Sequence, residues 1–238
     1  MLSLVLLPIL FALLFAVSVF LFMGFGLQNI PDIGLFDYLN LLFFSAEKFD
    51  QYGINWNIMS VMHFFLFLFF GVFYCSASAR NYRAGMNQME LIRYGKYNRY
   101  FFSCNLKNAQ NALKYIAMTI LLPLSILFID QNAFSKFGSI LNASAAENVL
   151  NFTIFFIKIF ALLMLLELIF LALIRRRDYS FSLAVMTAAA AFTVFADSLL
   201  KTGYVTLGNT NDQLIAVGIY TAAFAALYAI LRREPKSI

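Results

Sequence analysis

The stretch SASARNYRAGMNQMELIRYGKYNRYFFSCNLKNAQNALK, residues 76–114, is the one long polar and basic segment in a chain of 238 residues. Seven cations stand in it (Arg80, Arg83, Arg93, Lys96, Arg99, Lys107 and Lys114) against a single acid, Glu90. Apolar runs flank it on both sides, each long enough to cross a bilayer at about 20 residues per helix. Hydrophobic residues make up 62% of the chain and charged residues 12%, about half the charge fraction of an ordinary soluble domain. The composition is that of an integral membrane protein.

Working outward, six segments read as spans: Leu2–Gly24, Trp56–Cys75, Leu113–Asp130, Val149–Ile174, Phe181–Leu200 and Leu214–Leu231. The first carries Pro8 and no charge. It lacks a basic start and a small-x-small cleavage site, so it reads as a span rather than a signal peptide. The expected fold is all-α, a single transmembrane domain of six helices with a helical cytoplasmic elbow between spans two and three. Residues 35–44 (LFDYLNLLFF), in the loop after the first span, read either as a short interfacial helix or as a packed external loop.

The charges orient the chain. Residues 76–114, the Arg175–Arg176–Arg177 turn and the tail with Arg232, Arg233 and Lys236 hold thirteen of the seventeen cations. All fall on one side if the spans alternate. The other loops carry Asp32, Asp37, Glu47, Asp50, Glu147 and Asp212. The positive-inside rule then places both termini in the cytoplasm of a multi-pass plasma-membrane protein. Cations confined to the edges of spans argue against a nucleic-acid partner; the bilayer itself is the expected surroundings. Cys75 and Cys104 form neither a disulfide framework nor a metal site, because no CxxC or histidine-rich cluster accompanies them.

Within the basic stretch, residues 84–94 favour helix, with Met86, Met89 and Ile92 along one side. Gly95 suits a helix end that needs positive φ. Asn98 suits the N-cap of a second helix starting at Arg99 and leading into the third span. The bland reading of the same residues is a basic loop held against anionic headgroups.

That order of parts resembles the segment between the second and third spans of ATP-binding-cassette (ABC) exporter permeases, the class with six spans and a separate ATPase. Arg83–Ala84–Gly85 is followed by MNQMELIRYG, then by Asn98–Arg99 and Lys107. The chain departs from the family pattern where Arg80–Asn81–Tyr82–Arg83 replaces the usual acid before the glycine, and in the short 201–213 connection between spans five and six. The resemblance implies that Gly85, Met89, Glu90, Leu91, Ile92, Arg93, Tyr94, Gly95 and Arg99 couple to an ATPase. It implies ABC ATPase subunits as partners, a second permease subunit (identical or a paralogue), and ATP with magnesium held on the ATPase, with no cofactor on this chain. The substrate it suggests is amphipathic or hydrophobic, a small peptide first.

Ionisable residues inside spans mark function or a buried contact. Glu167 must find a partner on another helix, face a polar pathway or be protonated; it reads as an inter-helix contact or as part of a conduit or switch. Lys158 stands nine residues away on the opposite face of the same helix, where it is expected to snorkel outward. His63, the only histidine, reads as a hydrogen-bonded structural group more readily than as a relay. Asp197 and Lys201 are spaced for a local pair. Gly218, Ala222 and Ala226, like Ala184, Ala188 and Ala191, form small-residue rows expected to pack helices within the bundle. Pro123 is placed to kink the third span.

No GxSxG, HExxH, EExxxR or P-loop motif is present, so enzymatic activity is not expected and ATP is not handled by this chain. Two alternatives remain: a six-span substrate-binding component of an importer, and a membrane enzyme or sensor without transport.

Overall fold

The computed structural model describes residues 57–76, 95–127, 145–174, 178–200, 204–205 and 210–232. The described residues are helical: α1 (Asn57–Ser76), α2 (Tyr97–Leu127), α3 (Ala145–Ile174), α4 (Tyr179–Leu200) and α5 (Thr210–Leu231). The segment expected as the first span, residues 77–94 and residues 35–44 lie outside them.

Three helices are long and apolar enough to cross a membrane: Val149–Ile174 of α3, Tyr179–Asp197 of α4 and Thr210–Leu231 of α5. They differ in how they are covered. In α3 67% of the apolar window is buried, against 22% in α4 and 11% in α5. The first is therefore the central helix, and all four others pack on it. An apolar helix tolerates hydroxyls when they fold back on its own backbone. Thr119, Thr153, Thr187 and Thr221 each donate to the carbonyl four residues earlier, at 2.7–2.9 Å.

Successive helices alternate in direction. Phe64 meets Phe155 and Gly71 meets Leu163, so α1 and α3 run parallel. Tyr97 bonds to Leu231 and Phe101 packs on Tyr228, so α2 and α5 are antiparallel. Phe170 meets Tyr179 at one end of α3, while Asp197 acts on Lys158 towards the other, so α4 is also antiparallel to α3. One end of the bundle, the basic end, collects Lys96, Arg99, Asp178 and Arg232, all exposed. The opposite end is marked by Asn151.

A close crossing lies at Gly71. A Cβ there would stand 2.9 Å from Leu163 Cδ2 and 3.0 Å from the Tyr115 ring. Absence of a side chain lets α1 lie directly against both α2 and α3. The Tyr115 hydroxyl donates to the Phe67 carbonyl at 2.7 Å, and its ring packs on Phe67 and Tyr74. A large buried aromatic thus has its one polar atom satisfied.

Boundaries differ slightly from the sequence reading. The helix expected at Arg99 begins at Tyr97, so Asn98 lies in the first turn and is not the N-cap. The Lys96 carbonyl accepts from the Arg99 and Tyr100 amides at 3.1 and 3.2 Å. Burial of Tyr97 (7% exposed) and Tyr100 (3%) draws the first turn into the helix. No break separates this arm from the segment expected as the third span: α2 continues through Pro123 to Leu127.

Candidate functional site

Of the residues expected to couple to an ATPase, Gly85, Met89, Glu90, Leu91, Ile92, Arg93 and Tyr94 lie outside the described residues. Gly95 and Arg99 lie within them. Gly95 has φ of 68°, and a Cβ added there would meet nothing within 4 Å. Glycine is used there for its backbone freedom, since a left-handed conformation costs other residues roughly 1–2 kcal/mol, and not for space. Arg99 is exposed in the first turn of α2.

From this turn α2 lies along the bundle. Tyr97, Phe101, Asn105, Asn108, Ala112, Tyr115 and Thr119 recur at steps of three and four and are all buried, the stripe that docks a helix on its neighbours. Lys96, Arg99, Lys107 and Lys114 are exposed. At the start of the stripe, the Tyr97 hydroxyl donates to the Leu231 carbonyl at 3.4 Å. Phe101 packs between Tyr97 (5.9 Å) and Tyr228 (5.2 Å). Asn105 donates to the Phe101 carbonyl at 2.8 Å. The 31 residues of α2 span about 46 Å at 1.5 Å per residue, more than a hydrocarbon core of about 30 Å.

A second group of polar residues gathers towards the Asn151 end, where α3, α4 and α5 meet. Lys158 does not snorkel: it is fully buried, its Nζ 5.0 Å from the centre of the Phe155 ring. The charges of Asp197 on α4 and Asp212 on α5 both act on it. Phe155 and Ile159 beside it are buried as well, so Lys158 lies on the packed side of α3, while Ile157 next to it is exposed on the other side. Asp197, 3% exposed, accepts from the Tyr204 amide at 2.9 Å; Lys201, its expected partner, lies outside the described residues. Gln213 donates to Asn151 Oδ1 at 2.6 Å, and the Tyr220 hydroxyl donates to the Tyr204 carbonyl at 3.1 Å.

Sequence reasoning alone does not single out Asn151, Asp212, Gln213, Tyr204 or Tyr220 as site residues. A signal is nonetheless present: Asn151 and Lys158 are seven apart on α3, and Gln213 and Tyr220 seven apart on α5, so each pair shares a face.

Glu167 lies on α3 nearer the basic end. It is 1% exposed, and neither carboxyl oxygen has a hydrogen-bond partner among the described residues. Cys75 of α1 is within electrostatic reach of it. Cys75 is buried, Cys104 half-buried, and neither is in a disulfide. His63 lies on α1, and its side chain is outside the described residues. Among the described residues no group of three or more histidine, cysteine or acidic side chains is placed to hold a metal ion.

The small-residue rows do not face the bundle interior. Gly218, Ala222 and Ala226 are outside the packed face of α5, and Ala184 and Ala188 are outside that of α4. Ala184, Ala188 and Ala191, with Phe69, Tyr179, Ser180, Leu183 and Thr187, line an open groove of about 670 Å³ between α1 and α4. The side of α5 that packs carries Gln213, Ala216 and Tyr220 instead, since polar pairing with Asn151 sets its rotation.

Compared with protein-family models, curated proteins and solved structures, the chain matches none of the three.

Proposed function

We propose that this chain is the membrane-spanning permease subunit of an ABC transporter that exports an amphipathic or hydrophobic substrate, a small peptide by preference. The observation that carries the reading is the course of α2. It starts two residues after a left-handed glycine in the middle of the basic stretch and continues unbroken into the bundle. Its first turns are locked to the end of α5 through Tyr97, Phe101 and Tyr228, and its middle to α1 through Tyr115. A push on the basic segment is therefore delivered to α2 as a rigid rod and passed to α1 and α5. Packed helices shift as units under such a load.

In this reading the segment Gly85–Tyr94 sits on an ATPase subunit at the cytoplasmic face. Closure of two ATPases on ATP and magnesium tilts α2 and α1 and changes which side the path opens to. A second permease subunit, identical or paralogous, completes the path, and both termini lie in the cytoplasm.

Coupling is tested by co-expressing the chain with its ATPase subunit, purifying the assembly and measuring ATP hydrolysis. Replacement of residues 90–95 by alanine is expected to abolish substrate-dependent hydrolysis while the bundle stays folded. Retained coupling contradicts the proposal.

A second reading rests on the polar cluster around Lys158: a small-molecule-binding component of an importer, with the ligand held between α3, α4 and α5. Its signature is a small molecule that co-purifies with the isolated chain and is lost in Lys158→Met.

A further inference from the structure

Glu167 is the buried carboxyl group that the bundle leaves without a hydrogen-bond donor among the described residues. It stands on α3 one turn beyond Leu163, the residue pressed against Gly71, and three residues before Phe170, whose ring meets Tyr179. On the parallel α1, Cys75 stands one turn beyond Gly71 and is coupled to Glu167 electrostatically. The buried or half-buried titratable groups that the neighbouring helices bring to this end are Tyr74 and Cys75 of α1, Tyr97, Tyr100, Cys104 and Tyr115 of α2, Tyr179 of α4 and Tyr228 of α5. None of them is a cation. The Tyr115 hydroxyl is spent on the Phe67 carbonyl.

Among the described residues, cations do not compensate the carboxylate either. Lys96, Arg99, Lys107, Lys114 and Arg232 are exposed, as is the acid Asp178. Lys158 is nine residues away on the opposite face, roughly 13 Å along the axis. An ionised carboxylate with neither donor nor counter-charge is unstable in an apolar interior, whereas a neutral carboxylic acid is tolerated there.

We infer that Glu167 is a proton-binding site: the closed bundle holds it as a carboxylic acid, and it gives that proton to water when α1 and α3 part at the Gly71 crossing. The ligand is the hydrogen ion, small enough to need no cavity. The position makes release conformational, because Glu167 and Cys75 each stand one turn beyond the contact that Gly71 closes. The inference concerns the bundle alone and stands whether or not an ATPase drives it.

The test is carbodiimide labelling of the full-length protein in its membrane, read by mass spectrometry of the Glu167 peptide. A carbodiimide adds whole to a protonated carboxyl and rearranges to a stable N-acylurea, with no leaving group. Dicyclohexylcarbodiimide is expected to label Glu167 at pH 8 as well as at pH 6, a water-soluble carbodiimide is not, and Glu167→Gln loses the adduct. Absence of label at pH 8, as for a carboxylate neutralised by a cation from elsewhere in the chain, overturns the inference. Equal labelling by the water-soluble reagent overturns it too, since the carboxyl would then be hydrated.

Melting supplies an independent readout. Folding that takes up a proton weakens as pH rises, so the melting temperature of Glu167→Gln should exceed that of the wild type by a margin that grows from pH 5 to pH 9. A constant or shrinking margin overturns the inference. Gly71→Val, which wedges the crossing open, should reduce labelling at pH 8 with respect to pH 6; unchanged labelling in a folded Gly71→Val protein removes the link to helix separation.

Discussion

At the residue scale, two glycines do opposite jobs. Gly71 is needed for space: a side chain there meets Leu163 and the Tyr115 ring within about 3 Å. Overpacking of such a crossing costs about 1–3 kcal/mol, so Gly71→Val should lower the melting temperature in detergent and loosen α1. Gly95 is needed for its φ and has open space around it. Gly95→Asn should be nearly silent, while Gly95→Val should cost about 1–2 kcal/mol through the left-handed conformation. Thermal unfolding of the three variants separates the two cases. Positive φ at Gly95 was legible from its place between two stretches whose sequence favours helix. The Gly71 crossing was not, because nothing local in HFFLFLFFGVFYC says which turn meets another helix.

Lys158 sharpens the same point. Its sequence setting allowed a snorkelling side chain, but the ammonium lies on the buried side of α3, where the charges of Asp197 and Asp212 act on it. Removing one member of a buried charge group leaves the others uncompensated, at about 3–5 kcal/mol. Lys158→Met should therefore destabilise strongly. Asp197→Asn should be milder, because an amide oxygen still accepts from the Tyr204 amide and Asp212 remains. Combining Lys158→Met with Asp197→Asn should recover part of the loss; strict additivity in the double-mutant cycle would show that the two groups do not interact.

At the scale of elements, α2 decides how the basic stretch is understood. Its polar residues alternate between a buried and an exposed face, so the arm is docked rather than free. Phe101 is fully buried between Tyr97 and Tyr228. Truncating a buried phenylalanine costs about 3–5 kcal/mol, and Phe101→Ala should detach the start of α2 from α5. Limited proteolysis between α1 and α2, faster in the variant, checks it; equal rates contradict the docking. The existence and type of these helices could be read from hydropathy alone. Their rotations could not, as the small-residue rows demonstrate: Gly218, Ala222 and Ala226 point outward because Gln213 and Tyr220 make the polar contacts of α5. Pairing across helices is a tertiary property, and apolar periodicity is silent when every face of a helix is apolar.

At the scale of the molecule, the five described helices alternate in direction around α3, and the exposed cations near their ends gather at one end. The positive-inside rule makes that end the one expected on the cytoplasmic side. A cysteine placed at Lys96 should react with a membrane-impermeant maleimide in inside-out vesicles and not in right-side-out ones. The reverse pattern would invert the orientation. Composition made the membrane class plain, and charge placement made one orientation the expected one. The polar cluster joining three helices and the orphaned carboxyl of Glu167 were beyond the sequence, because each depends on which faces meet.

The central claim is that the basic stretch and α2 transmit force from an ATPase. Its most direct measurement is affinity purification of the intact, tagged chain from its native membrane, with ATP hydrolysis and subunit composition read together. The account predicts a stoichiometric ATP-hydrolysing subunit that remains with the wild-type chain and is lost when residues 90–95 are replaced by alanine. A wild-type chain that purifies folded, with no such subunit and no hydrolysis, would contradict it.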